Sequence, residues 1–126
     1  MEIYCCSCRD TVQADAVLGD RVYPHRKDLH KLMFYQCGAC NNFVGTHRNS
    51  MRPLGVIATP AIKQRRQQIH RVLDPLWQHG PYTRNKVYSI LSDRLGKEYH
   101  TANIRSLAEA DQILDWVIEL QLEATS

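Results

Sequence analysis

An α+β fold, with a small β unit first and a three-helix segment after it, is what this sequence predicts, and three observations carry the prediction. Two Cys-x-x-Cys pairs, Cys5/Cys8 and Cys37/Cys40, bracket a stretch rich in aromatic residues. Residues 1–50 hold short β-like runs and no sustained 3.6-residue periodicity. From residue 59 onward, apolar residues recur at helical spacing between capping signals. The expected organisation is a unit over residues 1–50 and a helical segment over 59–122 packed on it, one compact domain overall.

In the first half the runs "RVYPH", "MFYQC" and "NNFVGTH" read as strands of hairpins. The stretch "GTHRNSMRPLG", punctuated by Gly and Pro, reads as the connector. Thr59 then caps a first helix with Pro60 at its first position, and Ile62, Ile69 and Leu73 share one side. Asp74-Pro75 is expected to end or interrupt it. A second helix starts at Thr83, carries Val87, Ile90, Leu91 and Leu95 as its apolar stripe, and stops at Gly96, which suits a left-handed residue. Ser106 and Glu109 form a capping box for a third, whose inner face is Ala110, Ile113, Leu114, Val117 and Leu120.

Composition bounds the function classes. The chain has 126 residues, 44% hydrophobic and 23% charged, which is ordinary for a folded domain and leaves no room for two large ones. No run of about 18 apolar residues is present, and the first residues are not those of an export signal, so a soluble cytoplasmic protein with no membrane partner is expected. The formal net charge of +3 hides an asymmetry. All sixteen Lys and Arg lie in residues 1–106 against eight Asp and Glu, whereas 107–126 hold five acids and no base. A basic body suits a polyanion.

The cysteines point to a metal. Zinc takes four ligands at tetrahedral corners, and Cys-x-x-Cys lets one tight turn present two sulfurs to one ion at about 2.3 Å. Two such pairs, with 28 residues between them, predict one structural Zn2+ held by Cys5, Cys8, Cys37 and Cys40, and hence a zinc ribbon or zinc-knuckle unit. Redox pairs or scattered thiols are the alternatives, but a thioredoxin-type motif sits in a βαβ pattern that this sequence lacks. Five cysteines cannot all pair as disulfides, which favours a reducing compartment. Cys6 lacks the spacing to Cys8 and reads as a small packed hydrophobe. A site closed by four thiolates leaves no position for water or substrate, so the ion is structural and the protein is expected to be non-enzymatic.

Basic residues interleave with rings in this half, the pattern of a surface that meets phosphates with cations. Phe34 and Phe43 read as packing around the metal. The candidate phosphate contacts are Arg26, Lys27 and Arg48, with Arg65 and Arg66 from the basic run "KQRRQQIHR". His25 and His47 flank the second cysteine pair, as ligands, as surface groups, or, for His25, as the base of a histidine-centred ββα-metal nuclease. "TRNKVYSILSDRLG" followed by "KEYHTANIRSL" faintly resembles a helix-turn-helix, but its turn is too long and the next helix is acidic, so the two helices read as a packing pair.

Taken in order, "YCCSC", "VYPHRKDL", "CGACNNFVGTH", "PLG", "RRQQIHRVLDPLW", "TRNKVYSIL" and "RLG" resemble the successive motifs of a zinc-finger-containing family found largely in bacteriophages and prophages. The likeness spans roughly residues 3–118. It implies a zinc-binding N-terminal half with Cys5, Cys8, Cys37 and Cys40 at the family's cysteine positions, and an origin in a mobile element or its bacterial host; it implies no activity. Ser7 and Arg9 stand where the family's knuckle has an aromatic residue and a glycine, and the acidic C-terminal helix also departs from the pattern. The function expected is nucleic-acid binding, DNA ahead of RNA. An adaptor or inhibitor that docks on a host protein through "YPHRKDLHK" or the Trp77–Tyr82 turn comes second, and the metal-dependent nuclease third.

Overall fold

The computed structural model describes residues 1–125. It divides into two compact units, Met1–Pro60 and the chain from Ala61 onward.

The first unit is built from five short strands. Strands β1 (Glu2–Cys5) and β2 (Asp10–Gln13) form an antiparallel hairpin with Ile3 opposite Val12 and Cys5 opposite Asp10. Strands β3 (Asp15–Leu18), β4 (Met33–Gln36) and β5 (Phe43–Gly45) form a three-stranded antiparallel sheet in the order β3-β4-β5. Alternation along β4 sends neighbouring rings to opposite faces. Tyr35 goes inward, to a core of Ile3, Ala14, Val44 and Ile57 shared with Cys5 and Cys37. Phe34 goes to the other face, where it meets Tyr23 and Phe43 edge-to-face at centroid distances of 5.7 and 5.8 Å. Phe34 and Phe43 therefore pack with each other and with Tyr23, across the sheet from the cysteines.

The segment around "RVYPH" is not a strand. Residues Gly19–Val22 make one short helical turn, α1, and the chain through Leu32 closes into a loop. Two features force this. At Gly19 the backbone passes so close to the Leu29 carbonyl that no Cβ would fit, and Gly19 N–H donates to Leu32 O at 2.9 Å. The His30 ring nitrogen Nε2 lies 3.2 and 3.1 Å from the carbonyl oxygens of Tyr23 and Pro24, which pins the loop from inside. Aromatic and β-branched content suggested a strand here, but no neighbouring strand pairs with it, and the loop contacts decide.

Residues 51–60 also belong to the first unit. Val56, Ile57 and Ala58 are buried, and Ile57 runs parallel beside β1. Ile57 N–H donates to Tyr4 O at 2.9 Å, and Cys6 N–H donates to Ile57 O at 2.8 Å. The end of the connector thus acts as an added strand against the first cysteine pair.

The second unit holds the three expected helices, α2 (Pro60–Gln78), α3 (Arg84–Leu95) and α4 (Leu107–Thr125). In α3 the Thr83 hydroxyl accepts from Lys86 N–H at 3.1 Å, and Gly96 closes the helix in the left-handed region at φ 77°. The start of α4 is a modified capping box. Glu109 N–H donates to Ser106 Oγ at 3.1 Å, while the Glu109 carboxylate accepts from Arg105 N–H, one residue before the cap. Pro75 does not interrupt α2, which continues to Gln78. The ring sits in the last turn, so it disturbs a single hydrogen bond near the helix end, and burial of Leu76 holds that turn in place.

The core of this unit is Ile69, Leu73, Val87, Leu91, Ile113 and Val117, all without exposure. Tyr99 joins them from the α3–α4 connection, with its hydroxyl 2.6 Å from Thr101 Oγ1. Burial pushes that hydroxyl's pKa upward, so it stays protonated.

Candidate metal centre

Each cysteine pair occupies the tip of a hairpin, and the two tips have the same backbone. Cys5 ends β1 and Cys8 lies in the turn to β2; Cys37 follows β4 and Cys40 lies in the turn to β5. In the first turn Arg9 N–H donates to Cys5 O at 2.8 Å, and in the second Asn41 N–H donates to Cys37 O at 2.9 Å. The donating residue is left-handed in both, with φ 56° at Arg9 and 64° at Asn41. The sulfurs are served alike: the N–H groups of Ser7 and Cys8 point to Cys5 Sγ, and those of Ala39 and Cys40 to Cys37 Sγ. Such turns aim two N–H groups at a sulfur that must carry negative charge.

The tips face each other. Cys5 Sγ lies 3.5 Å from Cys40 Sγ and Cys8 Sγ lies 3.6 Å from Cys37 Sγ, and all four sulfurs fall within 4.8 Å of one another. A tetrahedron with zinc–sulfur bonds of about 2.3 Å has edges of about 3.8 Å. The sulfurs are not bonded to each other, and the donor set, four soft ligands around one point, fits a tetrathiolate zinc ion.

The thiol acidities show what an ion would displace. Hydrogen bonding to Cys37 and then to Cys5 pushes Cys8 up to about 12, and burial raises Cys5. Burial also acts on Cys37, but the Cys40 and Ala39 N–H groups outweigh it and bring Cys37 down to about 7. Without metal, the cluster holds protons that a divalent cation must expel.

Residues 1–121 match the sequence pattern of a zinc-finger-containing domain whose function is not established. The chain belongs to that family. No curated protein and no solved structure matches it. A structural zinc ion held by this zinc-finger domain is what the family and the four converging cysteines together support. The zinc is a fold element, because Cys5 and Cys37 are core residues packed against Ile57, Tyr35 and Val44.

The remaining candidates lie apart from the cluster. Cys6 is buried beside it but is not one of the four converging sulfurs. His25 and His47 are both exposed, outside the sulfur cluster. Among the described residues the four cysteines are the one group of three or more His, Cys, Asp or Glu side chains gathered as metal ligands.

The basic candidates differ in what already engages them. Arg26 forks Asp28, donating at 3.0 and 2.8 Å, with both side chains exposed. Lys27 lies in a 3-10 turn and Arg48 in the turn after β5, both exposed. Arg65 pairs with Asp111 at 3.1 Å, and Arg66 donates at 2.9 and 2.8 Å to the carbonyls of Ala102 and Ile104. The acidic helix α4 draws further on α3 and the residues just after it: Arg94 meets Glu119 at 2.7 Å and Lys97 meets Glu109 at 3.8 Å. The charge asymmetry along the sequence is thus partly neutralised within the helical unit. Two residues were under-weighted by sequence reasoning. Ile57, in the apolar run "VIA", closes the metal site from behind, and Lys31 shares a groove with Arg48.

Proposed function

We propose that this zinc-finger protein binds nucleic acid, DNA in preference to RNA, through the basic loops of its first unit, and that it does no chemistry on it. The observation that carries this reading is the distribution of charge on the zinc unit. Residues 21–52 hold six Lys and Arg against one acidic residue, and among the described residues no ion pair involves Lys27, Lys31 or Arg48. A zinc-stapled scaffold presents these cations on short loops, where neutralising phosphates releases counterions. Arg65 and Arg66 are weaker candidates than their sequence context suggests, because both already serve the helical unit. Four reduced thiols suit the cytoplasm of a bacterial host, which we take as the site of action, and no described helix is long and apolar enough to cross a membrane. The family likeness is the support for an origin in a phage or prophage.

The test is a fluorescence-anisotropy titration with labelled DNA and RNA at 50 and 200 mM salt. About three phosphate contacts give a fall of roughly 20- to 40-fold over that range, and Lys27→Glu with Arg48→Glu weakens binding to all sequences alike. Absence of a DNA or RNA complex, with salt-insensitive capture of one host protein, replaces the proposal with the adaptor reading. The nuclease reading stands only if metal-dependent cleavage occurs and His25→Ala abolishes it.

A further inference from the structure

Beside the cations Lys31 and Arg48, the first unit carries a groove with apolar lining. It has a volume of about 640 Å³, and its lining pairs apolar residues that include Leu32, Phe34 and Leu54, its floor, with polar ones that include Lys31, His47 and Arg48, its rim. Leu32 and Leu54 are half exposed, at 50% and 48%, so both offer apolar surface to a ligand. Gly45 keeps the floor open, since a Cβ there would stand 3.3 Å from Leu54 Cδ1 and 3.6 Å from Phe34 Cε1.

Cations beside an open apolar floor answer two different parts of one ligand. Phosphates need only the rim. The floor requires a flat apolar group beside the phosphate, and in duplex DNA those groups are stacked out of reach, whereas an unpaired base is free to enter. The size agrees, because grooves of 300–1,000 Å³ are typical for ligands of about nucleotide dimensions. An acidic peptide has matching charge, and one that bound by adding to the sheet would need a free strand edge. Here the edge of β5 is already taken: Leu54 N–H donates to Gly45 O at 2.9 Å, and Thr46 is bridged to Pro53.

We infer that the groove between Lys31, Arg48 and Leu54 takes an unpaired nucleotide, so that this protein reads single-stranded DNA ahead of duplex. The inference rests on the nucleic-acid reading above and narrows it to one strand state. Its phosphate is held by Lys31 and Arg48, and its base lies on Leu32, Leu54 and the Phe34 ring.

The experiment titrates the zinc-loaded full chain with a labelled 12-nucleotide single strand and with the same sequence as a duplex, at three salt concentrations. The single strand should bind at least ~10-fold more tightly. Lys31→Gln and Arg48→Gln should each flatten the plot of log affinity against log salt by about 0.7. Leu32→Ser and Leu54→Ser should weaken single-strand binding several-fold at unchanged slope, and leave duplex binding as it was. Zinc stoichiometry checks that each variant is folded. Leu54→Trp, which adds a stacking ring, should tighten single-strand binding, a gain that misfolding cannot produce. Equal, salt-dependent binding of single strand and duplex, or Leu variants without effect, overturns the inference and leaves the broader function standing. Binding to neither sinks both. Displacement of the single strand by an acidic leucine-containing peptide that binds with equal affinity also overturns it, in favour of a peptide site.

Discussion

Arg9 provides the sharpest test of how the zinc site is built. The two knuckles share one backbone, including a left-handed residue after the second cysteine, but the first has Arg9 at φ 56° and the second Asn41 at φ 64°. An ordinary L-residue pays about 1–2 kcal/mol for this conformation, while asparagine adopts it routinely. Glycine removes that strain but loses about 0.5–1 kcal/mol through the freedom of its unfolded chain. Arg9→Gly should therefore stabilise the ribbon by about 0.5–1 kcal/mol, whereas Asn41→Gly should change it by about 0.5 kcal/mol or less. In small zinc domains folding and metal binding are one equilibrium. The gain should thus appear as a two- to fivefold, roughly, tighter zinc dissociation constant. Arg9→Val, β-branched and ill suited to positive φ, should weaken zinc by about fivefold or more. Competition against a chromophoric zinc chelator at fixed pH reads all three. Arg9→Gly binding zinc more weakly than the wild type, or Arg9→Val binding it equally well, would refute the argument that Arg9 is under backbone strain.

Two further outcomes follow from particular contacts. Zinc affinity should rise with pH, because the ion must displace protons from Cys5 and Cys8, both raised above the ordinary thiol value of 9.0. Cys37, lowered to about 7, gives up its own proton as pH passes that value, so the number of protons released on binding should fall by about one between pH 6 and 8; calorimetry in buffers of different ionisation enthalpy counts them, and a constant number would contradict the assignment. In the helical unit, Arg66→Met removes the donor shared by the Ala102 and Ile104 carbonyls and should lower unfolding free energy by about 2–3 kcal/mol in denaturant titration, with Arg66→Lys recovering only part because the shorter lysine ammonium does not reach the position of Nη2, which makes both bonds.

By itself the sequence determined whatever depends on close neighbours in the chain. Two Cys-x-x-Cys spacings were enough to pick out the four sulfurs that converge, since a tight turn of that length has few ways to place its sulfurs. The Thr83 cap, the Gly96 stop and the buried faces of α3 and α4 were legible for the same reason, as they follow from periods of a few residues. Tertiary structure alone decided what depends on pairing across distance. Nothing local tells Ile57 to return beside β1, or stops Arg21–His25 from being a strand; a partner strand in one case and the close approach at Gly19 in the other settle them. Charge behaves likewise. Arg65 looks free in a basic run, and it, Arg94 and Lys97 become partners of Asp111, Glu119 and Glu109 only when α4 folds alongside them. Whether a cation is available to a ligand is a property of its three-dimensional neighbours, because Coulomb attraction falls with distance through space and takes no account of separation along the chain.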